Sequence, residues 1–266
     1  MCVSNNAKSL VCELSAKSFV NADIFILQFI WTGQPPKAGQ FFMLRPERSG
    51  VFLPRPISIF EFNYEQNILK FIIARCGKGT DELSCLNTGE KVRLTGPLGN
   101  AWADFLPESV SCGAGKAALV GGGLGIAPLA ALIAENKNYH FHFYAGFKNG
   151  FKEKEEEDSV LGAALNAKKM VITAEDGKNA LYGRILDYIF EPENYDVIFG
   201  CGSIVMLQAL KKKCESRGVT CFLSMESRMA CGTGACFGCT IRTLKGNRRC
   251  CAEGPIFPAG DILFDE

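Results

Sequence analysis

The hydrophobic positions of the chain begin with a β-rich pattern. From about residue 8 to residue 106, short runs of β-branched and aromatic residues alternate with turns rich in Gly, Pro and Asn. Runs of this length, separated by such turns, predict antiparallel strands that form a barrel or a sandwich. The predicted strands are 24–30, 39–44, 57–60, 68–74 and 91–95, and one short helix is predicted at 80–86.

The pattern changes in the second part of the chain, from about residue 117 to residue 220. Apolar runs alternate there with helical ones, which predicts a parallel, doubly wound sheet. The predicted strands are 117–120, 139–145, 170–173 and 196–200, and the predicted helices are 127–135 and 204–216.

From about residue 221 onward the chain is rich in Cys and Gly. We therefore predict a multi-domain α+β protein with three parts. Residues 1–107 form an antiparallel β-barrel, residues 108–220 an α/β domain with a parallel sheet, and residues 221–266 a small C-terminal domain.

Charge and hydropathy exclude several classes of function. The formal net charge is +1, so the chain lacks the basic field that attracts nucleic acid. No run of about 18 apolar residues predicts a membrane span. The charged run Lys152–Asp158 contains both signs, which predicts a solvated loop or helix edge. The first residues, Met1–Asn6, lack the pattern of a secretory signal, so we expect a cytoplasmic protein.

Cysteine is the unusual component of the composition. The chain has 13 cysteines, an odd number that excludes complete internal pairing, and we expect reduced thiols with a subset bound to metal. Cys231, Cys236 and Cys239 have the spacing C-x4-C-x2-C, which is typical of a plant-type 2Fe–2S site. The fourth thiolate is either Cys250 or Cys251.

The loop that carries these cysteines also contains three glycines, which let a backbone fold closely around a cluster. They are Gly232, Gly234 and Gly238. Zinc is the competing metal for four thiolates, although zinc ribbons usually present paired C-x2-C steps. Buried thiols without metal are the remaining alternative.

Two segments of the first part indicate a flavin site. Leu53–Ile59 contains Arg55 shortly before Ser58 on a predicted strand, and the planar guanidinium of arginine suits a pyrophosphate. Gly77–Ser84 is a glycine turn that leads into a helix, with Thr80 or Asp81 as the expected N-cap. Together these segments favour FAD over a purely structural barrel.

The second part contains a candidate nicotinamide site. Gly121, Gly122, Gly123 and Gly125 form a glycine turn between a strand and a helix, where backbone can approach a pyrophosphate. Cys201-Gly202 ends a later strand, at the edge where such sheets bind ligands. The residues after the second strand leave NAD and NADP unresolved.

The order of the three sites resembles the ferredoxin–NADP reductase superfamily. More narrowly, it resembles the electron-transfer subunits of NAD-dependent (type B) dihydroorotate dehydrogenases, over almost the whole chain. The segments that carry this resemblance are 55–58, 79–80, 96–99, 121–128 and 226–232. In that family the fourth cluster ligand begins a Cys-x-x-Gly-Pro segment, and 251–255 matches it, which implies Cys251 as the ligand.

The resemblance also implies the cofactor contacts. Those with FAD would be Arg55, Pro56, Ile57, Ser58, Ile72, Ile73, Ala74, Gly79 and Thr80. The implied domains are an FAD-binding barrel, a nicotinamide-binding α/β domain and a 2Fe–2S domain.

The resemblance further implies an oxidoreductase subunit of pyrimidine biosynthesis. Electrons would pass from the FMN of a partner dihydroorotate dehydrogenase subunit through the 2Fe–2S cluster and FAD to NAD. The expected assembly is a heterotetramer with two copies of each subunit, and no catalytic residue for dihydroorotate is expected in this chain. The alternatives are a related subunit of a ferredoxin:NADP reductase or sulfhydrogenase complex, and a zinc-stabilised interaction module on a reductase scaffold.

Overall fold

The computed structural model describes residues 7–47, 50–136, 139–189 and 191–264, so the N-terminal stretch Met1–Asn6 lies outside the described residues. In the first part, strands form one antiparallel sheet with the order β4-β3-β7-β1-β2-β6-β5. The strands are β1 (Lys8–Phe19), β2 (Ile24–Ile30), β3 (Phe41–Pro46), β4 (Arg55–Ser58), β5 (Glu61–Asn63), β6 (Ile68–Ala74) and β7 (Lys91–Leu98).

The long strand β1 makes this sheet curl. Its first half, Lys8–Glu13, pairs with β7, and its second half pairs with β2 after a register shift between Leu14 and Ala16. Alternate side chains such as Phe25, Leu27 and Phe29 are fully buried inside the curl, as a strand with one face toward a core requires. The predicted barrel is therefore confirmed in a partly open form.

The second part contains a sheet that is parallel except at its last strand. Its strand order is β11-β10-β9-β8-β12-β13-β16, and β16 pairs antiparallel with β13. The strands are β8 (Lys116–Gly122), β9 (His140–Phe147), β10 (Lys169–Ala174), β11 (Leu181–Tyr182), β12 (Val197–Cys201), β13 (Cys221–Ser224) and β16 (Ile256–Pro258).

The helices are short and mostly border this sheet. They are α1 (Lys78–Ser84), α2 (Glu108–Ser111), α3 (Ala127–Glu135), α4 (Lys154–Leu161) and α5 (Ile204–Glu215). Seven residues of α3 are buried, and an apolar helix of this kind belongs in the interior of a domain. The charged run Lys152–Asp158 leads into α4, in which Lys154 forms ion pairs with Glu157 and Asp158 at 2.7 Å.

The cysteine-rich segment is fixed between the two sheets. It leaves β13, forms the hairpin of β14 (Thr240–Thr243) and β15 (Gly246–Arg249), and returns to the sheet at β16. The side chain of Asn100, after β7, donates to the carbonyl of Ile256 at 2.8 Å and accepts from its N–H at 3.0 Å. These hydrogen bonds hold the C-terminal segment against the end of the barrel.

Among the described residues, none of the helices combines the length and the apolar character that crossing a membrane requires.

Candidate functional site

A cleft of about 520 Å³ lies between the barrel and the parallel sheet. Strands β4 and β6 form its barrel side, because the curl of the first sheet brings together strands from near its two ends. The opposite side comes from the loops that follow β8, β12 and β13. Its lining residues are Arg55, Pro56, Ile57, Ser58, Ile72, Ile73, Ala74, Cys76, Thr80, Gly122, Leu124, Gly125, Ala127, Gly202, Ser203 and Glu226.

Arg55 is the cationic group of the barrel side of the cleft. Its Nη2 donates to the carbonyl of Leu53 at 2.8 Å, while its buried Nε has no hydrogen-bonding partner among the residues that the structure describes. A buried, unpaired donor is costly. An anionic group in the cleft would satisfy this donor, so the arginine fits the pyrophosphate expected there.

Gly79 is needed for the position of Arg55, although it does not line the cleft. A Cβ at Gly79 would lie 2.4 Å from Arg55 Nε, so a larger residue would displace the guanidinium. The arginine therefore packs directly on the first turn of α1.

The start of α1 differs from the prediction. The N-cap is Gly77, whereas Thr80 or Asp81 was expected, because the helix begins two residues earlier than the pattern suggested. The hydroxyl of Thr80 accepts hydrogen bonds from the N–H groups of Cys76 (2.9 Å) and Gly77 (3.2 Å). Thr80 thus closes the turn before the helix and still borders the cleft.

The glycine turn after β8 packs against the end of β12. A Cβ at Gly125 would lie 2.5 Å from the carbonyl oxygen of Cys201, and backbone cannot move aside as a flexible side chain can. Gly123 has φ +55°, a conformation that favours glycine. Adjacent parallel strands β8 and β12 thus bring Gly122, Gly125 and Gly202 to one edge of the cleft. The predicted residues Gly121, Gly123 and Cys201 are not among its lining residues.

A second cavity, of about 200 Å³, lies between the cleft and the cysteine-rich segment. It shares Pro56, Ser58 and Glu226 with the cleft. Its lining residues are Phe41, Pro56, Ser58, Cys201, Ser224, Met225, Glu226, Ser227, Met229 and Pro255. The cleft and the lead-in to the cysteine loop are therefore direct neighbours.

Burial and charge keep Cys201 neutral beside this cavity. Burial, followed by the nearby carboxylate of Glu226, raises the pKa of the Cys201 thiol to about 12. The cleft walls also raise the pKa of Glu226 by limiting the solvation of its carboxylate, although that side chain still meets solvent through the open cleft. Cys201 therefore presents an S–H group, not a thiolate, at neutral pH.

Five residues of the cleft were missed by the sequence prediction. They are Cys76, Leu124, Ala127, Ser203 and Glu226. Two of them adjoin predicted glycines and two more lie within three residues of one, so the motifs pointed to their neighbourhood. Glu226 is far away in sequence, and only its place in the segment 226–232 could have suggested a role.

The cysteine loop brings amide donors to the sulfur atoms of its own cysteines and of Cys251. The Sγ atoms of Cys239 and Cys251 lie 3.2 Å apart. The N–H of Gly234 donates to Cys251 Sγ at 3.1 Å, and the N–H of Cys236 donates to Cys231 Sγ at 3.4 Å. Hydrogen bonds of this kind stabilise thiolates bound to a cluster, so the donor set fits a 2Fe–2S cluster.

The amide donors around Cys231 affect the pKa of its thiol more strongly than burial does. Partial burial raises the pKa of this thiol, but the N–H groups of Cys236 and Thr233 lower it further, to about 6. Gly232 and Gly234 have φ +70° and +83°, which a residue with a Cβ rarely adopts. The loop thus needs glycine at both positions to turn its amides toward sulfur.

The structure distinguishes the two adjacent cysteines that the spacing left open. Cys251 Sγ accepts the N–H of Gly234 and lies 3.2 Å from Cys239 Sγ. All three of Cys239, Cys250 and Cys251 are buried in the hydrophobic core around β13, and Cys250 is the most deeply buried of them. Of these two adjacent cysteines, only Cys251 accepts a hydrogen bond from the loop at its sulfur among the described residues.

We expect Cys251→Ala to lose the cluster and Cys250→Ala to keep it. The first variant removes a thiolate that the loop surrounds, whereas the second removes only a buried sulfur and leaves a cavity in the core. Iron and acid-labile sulfide per chain, measured after anaerobic purification, test this prediction. Equal loss of iron in both variants, or loss in Cys250→Ala alone, would contradict it.

Comparison with known proteins connects these features to a family. Residues 226–263 match the family model described as the iron-sulfur cluster binding domain of dihydroorotate dehydrogenase B. The chain is 38% identical over 230 residues to the dihydroorotate dehydrogenase B (NAD(+)) electron transfer subunit of Clostridium acetobutylicum, with 86% of this chain and 87% of that protein covered. It is 33% identical to the subunit of the same name from Clostridium perfringens, with 85% and 87% covered.

The fold is similar to that of solved oxidoreductases that use a flavin. An NADH-dependent reduced ferredoxin-NADP oxidoreductase gives a TM-score of 0.78 at 22% identity, covering 96% of this chain and 90% of that chain. A ferredoxin NADP+ reductase from Neisseria gonorrhoeae with bound FAD and NADP gives 0.62 at 17% identity, covering 79% and 92%. These similarities confirm the predicted arrangement of an antiparallel barrel followed by a parallel sheet.

Proposed function

Because the chain belongs to the family of dihydroorotate dehydrogenase B (NAD(+)) electron transfer subunits, we propose that it transfers electrons from the FMN of a partner catalytic subunit to NAD. It is an oxidoreductase subunit that uses FAD, a 2Fe–2S cluster and NAD. The observation that carries the proposal is the adjacency of the cleft and the cysteine segment, since one cavity borders both. Electron transfer needs such neighbouring sites.

The proposed cofactor contacts follow the cleft. When bound, FAD and the cluster supply the conversion between a hydride, which carries two electrons, and single electrons. Arg55 binds the flavin pyrophosphate through its unpaired Nε, and Gly79 leaves the space that this guanidinium needs. The remaining proposed contacts are Pro56, Ile57, Ser58, Ile72, Ile73, Ala74 and Thr80, all of which line the cleft.

The proposed nicotinamide contacts are on the opposite side of the cleft. Gly122, Gly125 and Gly202 allow close approach of a dinucleotide to the backbone, and Gly121 and Gly123 shape the turn that presents them. Cys201 lies under this edge and keeps its proton, so it adds no negative charge near the nicotinamide. None of these residues acts as an acid or base on dihydroorotate in this proposal.

Four thiolates hold the cluster in this proposal: Cys231, Cys236, Cys239 and Cys251. The family match to an iron-sulfur domain supports iron over the zinc that spacing alone left open. The chain divides at 107/108 and 220/221 in the same proposal. The third part is continuous with the second, because β13 directly after the second boundary pairs with β12.

The partner is a catalytic subunit, as the name of the relatives implies. We further propose that this partner carries FMN, that the assembly contains two copies of each subunit, and that it works in the cytoplasm. The reduced thiols that a cluster requires support this compartment.

A reconstitution experiment tests the function. The chain, purified anaerobically, is mixed with an FMN-containing dihydroorotate-oxidising subunit, and the reduction of NAD by dihydroorotate is followed by absorbance. We expect NAD reduction only when both proteins are present. If the mixture reduces no NAD while a ferredoxin partner supports reduction of NADP, the assignment of the partner is wrong.

A further inference from the structure

One ion pair holds the cysteine loop from the side of the hairpin. Arg249, at the end of β15, donates through Nε to both carboxylate oxygens of Glu253, at 3.0 and 3.2 Å. Its backbone N–H also donates to Glu253 Oε2 at 2.7 Å. The two side chains are 26% and 28% exposed, so water screens this pair less than it screens an ordinary surface pair.

A second nitrogen of the same guanidinium reaches the loop. Arg249 Nη1 donates to the carbonyl of Gly234 at 2.8 Å, and the N–H of Gly234 donates to Cys251 Sγ at 3.1 Å. A Cβ at Gly234 would lie 3.0 Å from the Cβ of Ala252 and 3.3 Å from Nη1, so these groups are closely packed. Arg249 therefore fixes the peptide on one side of Gly234, while the peptide on the other side points at a ligand sulfur.

The other end of the loop meets the same guanidinium. The ring centroid of Phe237, the residue after Cys236, lies 4.9 Å from the guanidinium carbon of Arg249, within the range of a cation–π contact. Phe237 has φ +56°, an uncommon conformation for a residue that is not glycine. Arg249 thus contacts the loop at Gly234 and at Phe237, on both sides of Cys236.

We propose that Arg249 is a positioning residue that sets the reduction potential of the cluster. Held by Glu253, it anchors the carbonyl of Gly234 and so restricts rotation of that residue, which keeps its N–H hydrogen-bonded to Cys251 Sγ. Hydrogen bonds to the sulfurs of a cluster raise its potential, because they stabilise the more negative reduced state. This inference rests on the proposed function, since it requires a 2Fe–2S cluster on the four cysteines.

The test compares Arg249→Met with Arg248→Met in the full-length chain that carries FAD and cluster. Each variant removes one positive charge. Arg248 precedes Arg249 on β15, where successive side chains leave opposite faces of the strand, and its charge also acts on Glu253. Arg248→Met therefore controls for the loss of a nearby positive charge without loss of the contact with Gly234. Iron and sulfide are quantified first, and the potential is then measured at fixed pH by a titration followed with EPR, which separates the cluster from the flavin.

We expect Arg249→Met to shift the one-electron equilibrium of the cluster toward the oxidised form by roughly tenfold, or about 59 mV toward lower potential. Its EPR line positions should also move, while Arg248→Met keeps the wild-type signal and potential. Arg249→Lys should give a smaller shift in the same direction, because an ammonium keeps the charge without the planar donor set that reaches Glu253 and Gly234 together.

A fully loaded Arg249→Met variant with the potential of Arg248→Met would overturn the inference. If Arg249→Met retains no iron, Arg249→Lys decides: a loaded cluster with the wild-type potential would also overturn it. A wild-type chain without any cluster would instead reject the proposed function.

Discussion

Cys231→Ser is expected to abolish electron transfer to the partner subunit while the chain keeps its FAD. The Sγ of Cys231 accepts hydrogen bonds from the N–H groups of Thr233 and Cys236, both at 3.4 Å. A serine hydroxyl is a poorer ligand for iron than a thiolate. Changing groups that only orient a metal ligand typically lowers metal affinity or activity about 10- to 100-fold. Loss of the ligand itself should therefore lower the coupled activity at least about 100-fold. The cleft residues do not include Cys231, so flavin binding is unaffected.

Two activities measured on one preparation check this expectation. Reduction of NAD by dihydroorotate with the partner present should disappear, whereas oxidation of NADH by a small dye that accepts electrons from the flavin should persist. Cys112→Ser is the control, because Cys112 is exposed and its thiol donates to the carbonyl of Ser109, which a serine hydroxyl can also do. Unchanged cluster absorbance and unchanged coupled activity in Cys231→Ser would reject the ligand assignment.

Arg55→Ala should weaken the binding of FAD. The variant removes a charge-assisted contact to the pyrophosphate, which is worth about 1.5–3 kcal/mol and corresponds to roughly 10- to 100-fold in Kd. Titration of the flavin-free chain with FAD, followed by quenching of flavin fluorescence, measures the change.

Arg93→Ala is the matched control for this prediction. Arg93 is an exposed arginine on β7 that pairs with Glu47 at 3.0 Å and does not line the cleft. The Arg93→Ala variant should bind FAD with the affinity of the wild type. Full flavin occupancy and unaltered affinity in Arg55→Ala would remove Arg55 from the proposed site.

Local pattern predicted most of the strands and helices near the cleft. Strands 24–30 and 68–74 and helix 127–135 have the predicted bounds. Turn-forming residues flank the two β-rich runs, and an apolar run defines the helix. The long strand β1 was not among the predicted strands. Its residues Lys8–Phe19 carry many polar side chains, and its pairing with two different strands depends on the curl of the whole sheet.

The site was predictable where chemistry depends on spacing and less so where it depends on packing. The cysteine spacing and the resemblance together indicated the loop that the structure shows, and the glycine turn after β8 does border the cleft. No local pattern could show that Arg55 packs on Gly79, or that Arg249 bonds to Gly234, because residues separated by 15 or more positions make these contacts. For the same reason Glu226 emerged only from the three-dimensional arrangement.

The visible spectrum of the anaerobically purified chain, with iron, sulfide, flavin and zinc quantified, tests the central claim most directly. Flavin and cluster both absorb visible light, whereas zinc thiolates do not. We predict one FAD, two irons and two sulfides per chain, as one flavin site and one 2Fe–2S cluster require. Zinc without flavin would contradict the account and reduce the similarity to reductases to a similarity of fold.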